Sequence, residues 1–155
     1  MKPIHVFISL VAAAVFLSSG SAMATDRKIH HGSMCQPQSI SNANALGAFT
    51  EGAVNTGTNS IVVTCPIVRD NTQNTTGTAK AFSNVRSSGG QLLSCTLVSR
   101  DKNGNFIASK FDSTTSNSPD SLDLDVNASA VLGSYAIFCI LPPSGRIFNY
   151  DIDEF

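Results

Sequence analysis

Beyond residue 45 the chain alternates apolar and polar positions with a period of two, in short runs separated by turn residues. That is the pattern of half-buried β-strands. Ile61, Val63 and Cys65 alternate, and Pro66 stops that strand because it has no N–H to give to a ladder. Ala79 to Val85 predicts a weaker strand and Leu92 to Arg100 a strong one, with Ser87-Ser88-Gly89-Gly90 as the turn between them. Asp101-Lys102-Asn103-Gly104-Asn105 predicts a hairpin turn centred on Asn-Gly, where positive φ is cheap. Phe106 to Phe111 is the returning strand. Leu122, Leu124 and Val126 then alternate with Asp123 and Asp125, so that one face is buried and the other wet. Ser134 to Leu141 is the most apolar run and ends at Pro142-Pro143, and Ile147 to Ile152 closes the chain. No 3.6-residue stripe is present, although Ala128 to Leu132 could make one helical turn. The expected fold is all-β: a single antiparallel β-sandwich of about eight strands, Greek-key or jelly-roll-like.

The first residues follow a different logic. Lys2 supplies a positive start, Val6 to Leu17 is apolar apart from Ser9, and Ser18 to Gly20 break the run. Ala22-Met23-Ala24 then offers the small-x-small pattern of a signal-peptidase site. Residues 1–24 are therefore expected to be a cleaved signal peptide, with the cut between Ala24 and Thr25. The apolar run is too short for a stable membrane anchor. Residues 25–45, charged and then rich in Ser, Asn and Gln, are expected to be a mobile segment, with the sandwich spanning 46–155. The expected location is periplasmic or secreted. Removing Lys2 from the ten Lys and Arg leaves nine cations against eleven Asp and Glu, a mature net charge of −2. The cations are scattered singly, which argues against a nucleic-acid partner. No later stretch is apolar enough to span a membrane, so an integral membrane protein is not expected; the partner is left open, with an envelope component or an extracellular ligand as the candidates.

Four cysteines in an exported chain of this size predict two disulfides. Three pairings exist on paper. Cys95 and Cys139 each fall on the apolar parity of a strong strand, so two facing central strands would bring them together. Cys65 ends a strand and Cys35 lies in the N-terminal segment. The preferred pairing is Cys35–Cys65 and Cys95–Cys139. No two cysteines have the short spacing of a zinc loop.

The spaced pattern Cys65-Pro66-x-x-Arg69-Asp70, Cys95-Thr96-Leu97, Tyr135-x-x-x-Cys139-x-Leu141-Pro142 and Ile147-x-x-Tyr150-x-x-x-Glu154 resembles a group of small secreted proteobacterial proteins of unknown function. The resemblance spans the mature chain at scattered positions. It implies a shared β-sandwich and no particular activity.

Candidate chemistry is sparse. Arg69 with Asp70 could hold a carboxylate or sulfate, or could tie the loop after Pro66 to the sheet edge; the second reading is preferred. Asp120, Asp123 and Asp125 place several oxygens close in sequence and make calcium the one cofactor to consider, with Asp151, Asp153 and Glu154 as further donors. The competing reading is a charged strand that resists edge pairing. The hairpin turn at 101–105 faintly resembles a calcium loop but is explained by its turn chemistry. His30 and His31 near Met34 and Cys35 suggest copper only weakly, because adjacent side chains of an extended segment diverge and a disulfide removes Cys35. They are also the only histidines after the signal, which argues against a His-based catalytic mechanism. A concave face collecting Arg69, Arg86 and Arg146, or the Asp120 to Asp125 group, would mark a site. The expected function is a non-enzymatic binding or structural domain. One alternative is a fimbrial or pilus-like subunit, disfavoured by the penultimate Glu154; the other is a small hydrolase using acidic residues.

Overall fold

The computed structural model describes residues 27–69, 78–127 and 132–154. Its strands are β1 (Lys28–His31), β2 (Gln36–Pro37), β3 (Leu46–Phe49), β4 (Gly52–Asn55), β5 (Ile61–Pro66), β6 (Ala79–Arg86), β7 (Leu93–Arg100), β8 (Phe106–Thr114), β9 (Asp120–Asp123), β10 (Ser134–Leu141) and β11 (Arg146–Glu154). Two short 3₁₀ helices, Gly32–Met34 and Ile40–Ala45, join the first of these. All pairings are antiparallel. One sheet has the order β3-β4-β11-β6-β9, with β1 also on β11; the other has the order β2-β5-β10-β7-β8. We call them the β11 sheet and the β10 sheet.

The two sheets bury their inward faces against each other, as the all-β sandwich reading requires. From the β10 sheet come Ile61, Val63, Leu93, Leu97, Ile137 and Leu141. From the β11 sheet come Ala81, Val85, Leu122, Ile147, Tyr150 and Ile152, all at most 2 % exposed. Leu124 and Val126 continue the alternation of β9 and are as deeply buried. The Tyr150 hydroxyl crosses between the sheets and donates to the Pro66 carbonyl at 2.7 Å. Burial pushes the Tyr150 hydroxyl up to about 12.

Both disulfides form as paired above. Cys95 and Cys139 are register partners on β7 and β10, and Cys35 is bonded to Cys65 of β5. Neither bridge joins one sheet to the other. Both lie on the inward face of the β10 sheet, where the four cysteines are at most 4 % exposed. The hairpin at 101–105 also forms: Asp101 accepts from the backbone N–H groups of Asn103 and Asn105 and from the Asn105 amide, each at 2.8 Å.

The largest departure from expectation lies in residues 27–45. This stretch is built into the sandwich. β1 pairs with Asn149–Ile152 of β11, and β2 pairs with β5. Arg27 donates to Asp151 at 2.6 Å, an ion pair with the carboxylate side 97 % buried, and lies over the Phe82 ring. His30 stacks on Tyr150 with ring centroids 5.1 Å apart. A polar strand such as Lys-Ile-His-His carries no two-residue apolar signal, so pairing with the centre of a sheet is what orders it. β3 and β4 also lay outside the predicted strands. All four residues of β4 are buried, so no polar face alternates with an apolar one. The signal cleavage site at Ala24 and Thr25, Asp70, and most of the Ala128 to Leu132 turn fall outside the described residues.

Candidate functional site

β11 is irregular at one point, and that point organises the outer face of its sheet. Along one edge, Arg146 and Ile147 pair with β4, whereas Asn149 to Ile152 pair with β1. On the other edge β6 is continuous, but its register slips: Ile147 opposes Val85 and Asn149 opposes Asn84, leaving Phe148 as an extra residue. This is a β-bulge at the place where β4 hands over to β1. Its consequence is a change of phase. Ile147, Tyr150 and Ile152 point into the core, while Phe148 and Asn149, neighbours in sequence, are both partly exposed.

Two glycines grip the bulge. A Cβ on Gly32 would fall 2.1 Å from the Ile147 carbonyl oxygen, and one on Gly52 would fall 2.0 Å from the same atom. Gly52 also has φ +122°, which side chains rarely adopt. Gly32 follows β1 and Gly52 opens β4, so the two strands that share the edge of β11 meet it through bare backbone. A bulge held this closely presents its side chains from a fixed frame.

Those side chains line a groove of about 420 Å³, bounded by Asn84, Pro119, Asp120, Ser121, Phe148 and Asn149. Asn84 Nδ2 donates to Asn149 Oδ1 at 2.5 Å across β6 and β11. Whichever way the two amides are turned, this bond leaves one carbonyl oxygen and one NH2 group free. Asp120 is engaged elsewhere: its Oδ2 accepts from the Thr114 hydroxyl at 2.6 Å, and its Oδ1 from the Ser121 N–H at 2.9 Å. Two guanidinium groups lie over the Phe148 ring, Arg86 at 5.9 Å and Arg146 at 5.6 Å from its centroid. Arg146 is tied to Glu51 in an ion pair. Arg86, half-buried at the end of β6, has no hydrogen-bond or ion-pair partner among the described residues. On the far side of Arg146 a second hollow of about 340 Å³ is lined by Phe49, Thr50, Glu51, Val54, Thr56 and Arg146.

The residues singled out in the sequence are distributed otherwise. Arg69 packs over the Tyr135 ring at 4.6 Å, at the end of β5 and away from Arg86 and Arg146. Arg86 and Arg146 meet over Phe148, so two of the three arginines lie together; neither is among the residues lining the 420 Å³ groove, and Arg146 lines the second hollow. Asp123 and Asp125 are neighbours: the Asp125 N–H donates to Asp123 Oδ1 at 3.2 Å, and Asp125 Oδ1 is buried without a hydrogen-bond partner. Burial, and then the Asp123 charge, raise the Asp125 carboxyl above the ordinary range. Asp120 stands apart from them, held by Thr114 on β8. Among the described residues no group of three or more His, Cys, Asp or Glu side chains is placed to hold a metal ion. His31 is bonded to Ser33 and to the Thr50 carbonyl, and His30 faces Tyr150. The two imidazoles therefore do not converge.

The groove was not anticipated from the sequence. One signal was present: Ile147 and Tyr150 are apolar positions three apart in a strand, a spacing that a regular strand cannot bury on one side.

No family model and no curated protein matches the chain. Among solved structures it is similar to an arabinose-bound MgGH51 α-L-arabinofuranosidase, at 14 % identity and a TM-score of 0.39, over 82 % of this chain and 26 % of that one. The chain thus spans about a quarter of that protein's length, and a likeness this distant carries no argument about function.

Proposed function

We propose that the protein is an exported, disulfide-stapled β-sandwich that acts by binding a ligand in the groove over the β11 bulge. Two disulfides support the exported location, because such bridges persist in oxidising compartments. The start of the chain, with its apolar run and small-x-small site, supports delivery there through a signal peptide. None of the helices among the described residues is long and apolar enough to cross a membrane.

The observation that carries the binding reading is the pairing of Asn84 with Asn149 beside Phe148. Amides and an aromatic ring recognise through hydrogen bonds and apolar contact; they neither shuttle protons nor attack at neutral pH. Asp120, the one carboxylate among the described residues lining the groove, already accepts two hydrogen bonds. A frame fixed by Gly32 and Gly52 suits recognition, which gains from preorganisation.

Amide-resolved NMR of the isotope-labelled mature protein, screened against small-molecule and glycan mixtures, tests this. Perturbations gathered on Asn84, Ser121, Phe148 and Asn149, with the compound recovered unchanged, support the reading. Turnover of a compound, or perturbations confined to other surfaces, overturns it.

A further inference from the structure

The groove has a more specific chemistry than a generic polar hollow, and the inference that follows rests on the binding reading above. We infer that its ligand is a saccharide bearing a carboxylate, with the sugar ring on Phe148, hydroxyls on the Asn84–Asn149 pair and the acid group on Arg86.

Three observations converge. First, the amide pair leaves one acceptor and one NH2 donor side by side, held in register by their own hydrogen bond. A vicinal diol, in which each hydroxyl both donates and accepts, is the complement of that arrangement. Second, the bulge brings Phe148 next to Asn149 on the same face, so an apolar surface lies directly beside the polar pair. A pyranose ring has that same duality, with a C–H face and a rim of hydroxyls. Third, the two guanidinium groups beside Phe148 are not equivalent. Arg146 is neutralised by Glu51, whereas Arg86 is without a hydrogen-bond or ion-pair partner among the described residues. Arg86 lies two residues from Asn84 on one strand face, a separation of about 6.5–7 Å along the strand. A sugar ring with an exocyclic carboxylate spans that distance. A guanidinium fork fits a carboxylate with two parallel hydrogen bonds, which a neutral hydroxymethyl group does not reproduce. The side chains assigned to the sugar and its acid group issue from β6 and β11, while Pro119 and the β9 residues Asp120 and Ser121 complete the groove wall.

Titration by calorimetry and NMR with a uronic-acid oligosaccharide and its neutral counterpart of the same linkage tests the assignment. The uronate should bind at least about tenfold more tightly, the worth of one charge-assisted bidentate contact, and should lose that margin in high salt. Arg86→Gln should bring the uronate down to the affinity that the same variant has for the neutral sugar. Asn84→Ala with Asn149→Ala should abolish both. Arg86→Lys, which keeps the charge and loses the fork, should recover only part of the margin. Thermal melts of each variant separate lost binding from lost folding. Equal affinity for the two sugars, or an uronate preference that Arg86→Gln leaves intact, overturns the inference. If neither sugar moves the groove resonances while a non-saccharide does, the saccharide assignment falls and the binding site stands. If nothing moves them, both fall.

Discussion

Gly52 lies against the carbonyl of Ile147 so closely that a methyl group on its α-carbon would sit 2.0 Å from the oxygen. The contact falls where β11 departs from regular pairing, and it makes the glycine part of the site it never touches. Gly52→Ala combines a backbone clash with a side chain at φ +122°, and should cost at least about 2 kcal/mol in stability. Gly89 is the control. It too has positive φ, at +63°, but nothing lies within 4 Å of its missing Cβ. Gly89→Ala should therefore cost no more than about 1 kcal/mol. Urea unfolding of both variants checks the difference, and equal costs would remove the special role of the bulge contact.

The Tyr150 hydroxyl is one polar tie between the sheets, beside the buried Asn55 amide that donates to the Leu141 carbonyl at 2.8 Å. Tyr150→Phe leaves the Pro66 carbonyl without that donor and should destabilise by about 1–2 kcal/mol. In a Tyr135→Phe background, absorbance at alkaline pH should show the remaining tyrosine ionising at about 12. Titration near 10 would mean that the ring is open to solvent.

His30 should make the fold sensitive to mild acid. Burial, and then the charge of Lys28, lower its pKa below the ordinary 6.5. The folded state therefore takes up the proton at lower pH than the unfolded chain does. Stability is fully present above the unfolded pKa and is lost as pH falls through the window between the two values. Melting temperature should drop from pH 7 to about 5 in the wild type and drop less in His30→Gln. Parallel curves for the two proteins would show that another group sets the acid limb.

The two bridges close segments with sequence separations of 30 and 44 residues. Chain entropy alone gives each about 3–4 kcal/mol. Replacing Cys95 and Cys139 by Ala should cost more than replacing Cys35 and Cys65, because the first pair is wholly buried between the sheets. Denaturant midpoints of the two double variants decide it, and the reverse order would contradict the packing described.

The sandwich was legible where a strand has one wet face. In Ile61 to Cys65, Leu93 to Leu97 and Tyr135 to Leu141 the inward residues alternate with outward ones. The cysteines share that parity, and the pairing could be read from it. β1 and β4 were not legible, for opposite reasons: one is mostly polar, the other buried throughout. Their place is dictated by β11, a long-range partner that local pattern does not reveal. The groove escaped for a third reason. Phe148, Asn149 and Asn84 are unremarkable residues in sequence, and they become a site only because the bulge shifts the phase of one strand against another. Arg69 and the Asp123–Asp125 pair drew attention as clusters of charge, yet the structure gives Arg69 a ring to pack on and leaves Asp120 apart from the other two aspartates.

The order of the cysteines along the chain has one more consequence. The bridged intervals, 35–65 and 95–139, follow one another without nesting or crossing. A chain threaded N-terminus first into an oxidising compartment presents Cys35 and Cys65 to each other before Cys95 has emerged. Each native bond is then the first one available to its partners. For a chain delivered in that way, the native pairing is the one that sequential oxidation forms first.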